Sequence, residues 1–548
     1  MKFFRFSILP LALTAILLAV SISTTFKTDH GKYFEISKNI EIFTNLYKEL
    51  NSYYVDELDP SKLMRTGIEA MVESLDPYTN YISEADIEGY RFVVEGKYTG
   101  IGAQFKLVGE FPTITELYEE SPAKKAGLKA GDIIREIDGR SAKSKNVDAV
   151  NDIMKGYPGT EVELSIERPG QSKDLKIRLV REEVQVPNVP YSGMIADKIG
   201  YFALTTFTRD AGQNVANALK DLKKEHPDLK GVVFDLRGNG GGLLNEAVNV
   251  CNVFIPKNEL VVTTKGKIKD WDRSFKTLND PVDENIPLII LIDKGSASAS
   301  EIVSGTIQDY DRGILLGQRS YGKGLVQNTR DIGYNSKLKI TTSKYYIPSG
   351  RCIQSVSYKD GEPVNVPDSE RAVFKTRSGR PVLDGGGVKP DMIVDKDDQS
   401  NILSTLDEKN LVFDYVTQYC LKHDSITDLE NFHFTEWNEF VAFLDKKNFD
   451  YDTESEKLLE QLKSRSKDDG YIIENDIKTL EAKIIEAKKN DIIKHKEVIT
   501  DMIEKEIASR YYYQNGRVKI GLRNDKEIKE AIELLNDPLA YKKLLTSK

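Results

Sequence analysis

Four short segments carry side chains and backbone groups of the kind that make and break acyl bonds. In Gly295-Ser296-Ala297-Ser298-Ala299-Ser300-Glu301, three serines alternate with small residues between an apolar run and a helical stretch. A serine placed there has its hydroxyl near the positive end of a helix dipole, where an oxyanion is stabilised. The residues alone leave two roles open for these serines, nucleophile or helix N-cap. No GxSxG occurs, which sets the segment apart from the α/β-hydrolase elbow. In Ser320-Tyr321-Gly322-Lys323-Gly324-Leu325-Val326-Gln327, a lysine stands between two glycines. Desolvation lowers a lysine from about 10.4 toward about 7–8, where it serves as a general base. Gln327, four residues on, could orient the amine, and the competing reading is an ordinary loop lysine. The GxxxxGK[ST] phosphate loop is not satisfied.

The third segment, Asp235-Leu236-Arg237-Gly238-Asn239-Gly240-Gly241-Gly242-Leu243-Leu244, offers free backbone N–H groups as an anion hole. Phosphate binding and a plain tight turn compete with that reading. Taken together, the three segments supply nucleophile, base and oxyanion donors, the minimum for acyl transfer. The fourth, Tyr98-Thr99-Gly100-Ile101-Gly102-Ala103, is a glycine loop ahead of a strand. Successive N–H groups of Ile101, Gly102 and Ala103 can hold a terminal carboxylate while the peptide adds as a strand alongside.

These segments need elements to position them. Residues 27 to about 95 read as helical, with Ile40, Phe43, Tyr47 and Leu50 on one face, and close on a turn-rich stretch from Leu75 to Tyr81. From 96 to 183, the strands Pro112–Leu117, Asp132–Ile137, Glu161–Glu167 and Leu175–Val180, with a helix at Ala149–Lys155, predict a small, partly open β barrel. From 184 to 399, the runs Val232–Phe234, Pro287–Ile292 and Gly313–Leu316 alternate with helical stretches Leu243–Val253 and Ser300–Gln308, the signature of an α/β layered domain. Residues 400–548 are rich in Lys and Glu and predict a solvated helical extension, with Ile477, Leu480, Ile484 and Ala487 on one helix face.

Composition narrows the function classes. The 548 residues carry a net charge of −9, which argues against broad electrostatic binding to nucleic acid. Three widely spaced cysteines give no disulfide framework, and five scattered histidines give no HExxH, so no metal site is expected. Lys2 and Arg5 precede an apolar run from Phe6 to Ile22, so residues 1–26 read as a signal peptide or membrane anchor. The expected address is exported, periplasmic or membrane-anchored facing the periplasm.

In order and spacing, these motifs resemble the C-terminal processing (tail-specific) peptidases, a serine–lysine family with an embedded PDZ domain. The resemblance runs from about Leu75 to Val394 and includes Ser121–Asp138 and Tyr346-Ile347-Pro348-Ser349-Gly350-Arg351. In that family the nucleophile is the middle serine and the lysine follows 25 positions later, which selects Ser298 and Lys323, with Gln327 as third residue. The resemblance places the oxyanion hole on the backbone of Ala299 and of Gly241 or Gly242. Gly240 stands where the family usually has proline, and Ser357–Gly387 looks like an insertion. The implied fold is multidomain α+β. It comprises an N-terminal helical segment (27–95), a PDZ domain (96–183), a crotonase/ClpP-like α/β protease core (184–399) and a helical extension (400–548). The implied function is cleavage of proteins at exposed C-termini through an acyl-enzyme, without cofactor, and the family's PDZ domain also gates the site. Two alternatives are an inactive PDZ scaffold for C-terminal tails and acyl-CoA chemistry on the crotonase-like core. The C-terminal helices would serve homo-oligomerisation or docking of an envelope adaptor or lipoprotein.

Overall fold

The computed structural model describes residues 30–359, 362–395 and 400–546. The apolar run expected as a signal or anchor lies outside the described residues, as do residues 360–361 of the insertion-like segment. No helix among the described residues is long and apolar enough to cross a membrane.

The chain divides into two compact units, Met1–Tyr81 and Ile82–Lys548. In the first, helix α1 (His30–Tyr53) is followed by α2 (Pro60–Glu73). Asp59 caps α2 by accepting from the Ser61 and Lys62 N–H groups, and Pro60 sits where a missing N–H costs nothing. Phe43 packs over Gly67, and the Tyr47 hydroxyl donates to Pro60 O at 2.8 Å. The turn-rich stretch is an Asp turn, in which Asp76 accepts from the Tyr78 and Thr79 N–H groups and the Thr79 hydroxyl.

The second unit begins with α3 (Ile87–Glu95) and continues into the small β domain. There β1 (Ala103–Val108), β2 (Phe111–Leu117), β3 (Ile133–Ile137), β4 (Glu161–Glu167) and β5 (Leu175–Val180) form one antiparallel sheet in chain order. Helix α4 (Val147–Met154) closes its core of Ile101, Phe105, Ile114, Ile134, Val150 and Leu164. Each expected strand is present, and β1 adds an edge that is unpaired within this sheet.

The central sheet runs β6 (Ser192–Ala196), β7 (Ile199–Ala203), β8 (Gly231–Asp235), β9 (Leu288–Ile292), β10 (Ile314–Gly317) and β11 (Met392–Ile393) in that order. All pairs are parallel except β6–β7. Every residue of β8, β9 and the Ile314–Gly317 strand is buried, which requires cover on both faces. One face is covered by α5 (Ala211–Glu225), α6 (Leu244–Cys251) and α7 (Ala299–Asp309), around Phe202, Phe234, Ile290, Val303 and Ile307. A long hairpin, Leu325–Gly333 with Ser336–Tyr346, leaves this layer immediately after the lysine loop.

The other face is covered by the end of the chain. Helix α8 (Lys526–Asn536) lays Ile528, Ala531 and Leu534 on Tyr201, Val233, Ile289, Leu291, Ile314 and Leu316, and α9 (Pro538–Thr546) continues with Tyr541 and Leu544. The expectation of a solvated extension is thus corrected for the helices that carry a core face, while Glu454–Asp468 and Glu474–Lys494 are largely exposed as expected. Upstream of α8, Leu406, Val416, Phe440, Ile503 and Ile507 build a further core of the helical region itself. Leu534→Ala should lower stability by about 2–4 kcal/mol, the usual loss for a truncated core leucine. Urea unfolding checks this, and a change below about 0.5 kcal/mol, the usual range for a surface substitution, would contradict the cover.

Candidate active site

The serine run forms the turn between β9 and α7. Apolar residues end at Ile292, and small residues then allow the chain to fold tightly against its neighbours. Ser296 accepts from the Asp293 N–H at 2.9 Å and donates its hydroxyl to Leu236 O at 2.8 Å. Ser300 donates to Asn239 O at 2.8 Å. Both flanking serines are therefore buried braces to the glycine loop. Ser298, half-buried, is the N-cap of α7 with φ +55° and ψ −110°, a conformation that costs a non-glycine residue about 1–3 kcal/mol.

Glu301 holds this turn to the lysine loop. It is fully buried at the third position of α7, and its Oε2 accepts from the Ser298 N–H and the Lys323 N–H, both at 2.8 Å. Its Oε1 accepts from the Gly322 N–H at 2.6 Å and the Ser320 hydroxyl at 2.5 Å. Burial pushes the Glu301 carboxyl above the ordinary range, and bonds from Ser320, Lys323, Ser298 and Gly322 pull it back. Tyr345 makes a second link, donating its hydroxyl to Ser298 O at 3.1 Å and to Lys323 O at 2.7 Å. Ser298 and Lys323, 25 residues apart in sequence, thus share two partners in space. Gly322, at φ +92°, lies where a Cβ would fall 2.3 Å from the Ser355 Cβ, so the turn before Lys323 demands glycine. Gln327 sits on the hairpin strand beyond, with its Nε2 donating to Thr341 Oγ1 at 3.1 Å.

The glycine loop folds onto the same turn. Asn239, fully buried, accepts at its carbonyl from the Ala297 N–H (3.0 Å), donates Nδ2 to Leu204 O (2.6 Å) and holds the Gly241 N–H on Oδ1 (2.9 Å). A Cβ on Gly241 would lie 2.8 Å from Ala297 O and from the Ser298 Cβ, and 2.9 Å from the Ala299 N. The loop therefore touches the serine turn along its backbone. The Gly241 N–H is taken by Asn239, which leaves Gly242 beside it and Ala299 at the first position of α7 as candidate donors. Gly240 is exposed at the tip of this loop. Behind the turn, Arg351 of the Tyr346–Arg351 motif is buried against Asp309 at 2.9 Å, at the far end of α7.

In the small β domain, Ile101, Gly102 and Ala103 lead into the edge strand β1. Gly102, at φ +77°, has no room for a side chain, since a Cβ would fall 2.2 Å from the Ser121 Cβ. Beside β1 lies a cavity of about 320 Å³ lined by Tyr98, Ile101, Ala103, Phe105 and Tyr118, by Asn151 and Met154 of α4, and by Gly89 and Phe92 of α3. It has the shape for an extended peptide laid between β1 and α4.

Sequence reasoning gave no role to Glu301, Asn239 or Tyr345. Glu301 was readable as the acidic partner of a capping box begun by Ser298, whereas Asn239 and Tyr345 act across long sequence separations. Glu301→Gln turns a donor pair toward N–H groups that need an acceptor. It should lower stability by about 2–4 kcal/mol, since charge-assisted hydrogen bonds are worth about 1.5–3 kcal/mol each. Urea unfolding of the variant measures the loss, and native-like stability would remove Glu301 from its role as the link.

Three regions of the chain match known families. Residues 198–363 match "Peptidase family S41", residues 99–179 match "PDZ domain", and residues 402–535 match "Probable PDZ-protease, C-terminal helical domain". The "Carboxy-terminal-processing protease" of Bartonella bacilliformis is 35% identical over 361 residues, 66% of this chain and 82% of that protein. The "Probable CtpA-like serine protease" of Staphylococcus aureus is 36% identical over 332 residues, 60% of this chain and 65% of that one. Among solved structures, the photosystem II D1 C-terminal processing protease is 26% identical and covers 59% of this chain and 90% of its own, with a TM-score of 0.34. The chain belongs to peptidase family S41 and to the carboxy-terminal-processing proteases within it, with a PDZ domain and a PDZ-protease C-terminal helical domain.

Proposed function

We propose that the protein is a serine endopeptidase of the cell envelope that captures protein C-termini in its PDZ groove and cleaves with Ser298 and Lys323. One observation carries the reading: the backbones of Ser298 and Lys323 share the Glu301 carboxylate and the Tyr345 hydroxyl at the N-terminus of α7. The neighbouring serines are occupied as braces, which supports Ser298 as the nucleophile.

Ser298 Oγ attacks the peptide carbonyl carbon while its proton passes to the neutral Nζ of Lys323. The carbonyl oxygen becomes an oxyanion, facing the N–H groups of Gly242 and Ala299 at the positive end of α7. The intermediate collapses, the C–N bond breaks, and the leaving amine takes the proton from Lys323, so an ester to Ser298 remains. Water then adds to the ester carbonyl and gives a proton to Lys323. Release of the new carboxyl terminus returns that proton to Ser298 Oγ. The Gln327 Nε2 donates to Thr341, which leaves Oε1 as the acceptor for the lysine amine in this reading. No step calls for a cofactor.

A client's C-terminal strand would pair with the edge of β1, its carboxylate meeting the N–H groups at Ile101, Gly102 and Ala103. The basic start and apolar run of residues 1–26 support export, with the enzyme periplasmic or anchored facing the periplasm.

The test uses an unfolded protein substrate with an apolar C-terminus, free or amidated. Ser298→Ala and Lys323→Ala should each lower kcat/KM by about 10³-fold or more. Amidation should raise KM about tenfold for the native chain, the equivalent of one charge-assisted hydrogen bond. Cleavage by Ser298→Ala at the native rate would remove the nucleophile, and binding of the free tail without cleavage would make the chain a scaffold.

A further inference from the structure

Arg237 stands one residue before the glycine loop and is ringed by carboxylates from two distant parts of the chain. Its Nε and Nη2 donate to Asp235, at 3.0 and 2.6 Å, and Asp235 also accepts from the Tyr201 hydroxyl at 2.9 Å. Its Nη1 donates to Asp525 at 2.7 Å and to Glu527. The last two residues start α8, the helix that covers the second face of the central sheet. Asp525 does two things at once, since its other oxygen caps α8 by accepting from the Ile528 N–H at 3.1 Å.

The rest of that contact is apolar, through Ile528, Ala531 and Leu534. Packing alone would not call for three carboxylates around one guanidinium, because desolvating ion pairs tends to cancel their attraction. Glu527 is buried and its Oε1 has no partner among the described residues. Gly317 keeps the space beside it open, as a Cβ there would lie 3.2 Å from that oxygen. The arrangement fixes a direction. The guanidinium is forked between its own strand and the helix, so the chain leaving Arg237 has one trajectory.

That trajectory leads straight to the reacting groups. Leu236 O accepts from Ser296, the Gly238 N–H donates to Asp293 at 2.8 Å, and Asn239 holds both Ala297 and Gly241. A displacement at Arg237 is therefore felt at Gly241, which lies against Ser298, and at the adjoining Gly242. Errors of about 1 Å in such placement cost about 100-fold in rate.

We propose that Asp525 and Glu527 of the C-terminal helical domain are positioning residues of the active site, acting through Arg237 on the Gly238–Gly242 loop. The inference rests on the serine-peptidase reading above. It makes the C-terminal domain a part of the catalytic unit rather than an appendage or an oligomerisation device alone.

The test compares the full chain with the Asp525→Asn/Glu527→Gln double variant, with Leu534→Ala and with Ser298→Ala. The double variant should lose about 10- to 100-fold in kcat with KM within about twofold. It should also show at least about tenfold faster amide exchange at Gly238, Asn239 and Gly241, whose N–H groups are bonded in the native loop, as a locally opened loop does. Leu534→Ala, on the same helix, should lower the melting temperature and leave kcat within twofold at a temperature where it is folded. Native kcat and native exchange in the double variant would overturn the inference. So would a loss of activity that merely follows the fraction unfolded, as in any packing variant. Should Ser298→Ala prove fully active, the serine-peptidase reading fails by itself, and the exchange readout still decides whether the helix holds the loop.

Discussion

Glu301 has no exposure to solvent, yet it accepts four hydrogen bonds from three places in the chain: its own N-cap, the lysine loop and Ser320. A carboxylate in such a place survives because every lone-pair direction finds a donor, and removal of any donor would leave charge buried without compensation. The consequence is geometric. The strained backbone of Ser298 and the turn at Lys323 cannot move independently, because both N–H groups end on one oxygen. The Tyr345 hydroxyl repeats the link from the carbonyl side. The backbone positions from which the proposed hydroxyl and amine project are thus tied to one carboxylate.

The same logic extends outward in layers. Asn239 joins the glycine loop to the serine turn through its carbonyl and amide, and Arg237 joins that loop to the helix that closes the far side of the sheet. Arg351 and Asp309 fix the opposite end of α7. Each joint is a charged or polar group at the edge of an apolar layer, so the layers supply most of the stability while the joints set direction. The PDZ domain is built differently, with its groove between an edge strand and a helix, where a peptide can enter without disturbing the core.

Much of this was readable in advance where the signal is local. Alternation marked the strands of the small domain, unbroken apolar runs marked β8 and β9, and glycine–serine segments marked the loops. The site resemblance rested on motifs whose spacing is carried by single loops. The unread parts depend on distant partners. Five buried residues in a row at Leu288–Ile292 already demanded cover on two faces, but the sequence does not say that the cover comes from Ile528, Ala531 and Leu534, some 240 residues later. Lys/Glu-rich composition concealed them, because a helix with one apolar face and three polar ones averages to polar. Likewise, the importance of Arg237 lies in which carboxylates meet it, and that pairing exists only in the fold. β1 was expected as the strand that follows the glycine loop, and Gln104 and Lys106 alternate there with the buried Ala103 and Phe105 at the strand period.

The central claim is that an acyl group passes through Ser298. Rapid-quench intact-mass and peptide mapping of the native chain, mixed with an activated ester of an apolar C-terminal peptide, tests it most directly. The account predicts a single acyl adduct on the peptide containing Ser298, lost with time in the native chain and absent in Ser298→Ala. Turnover without any adduct at Ser298, or an adduct at another residue that turns over at the same rate, would contradict it.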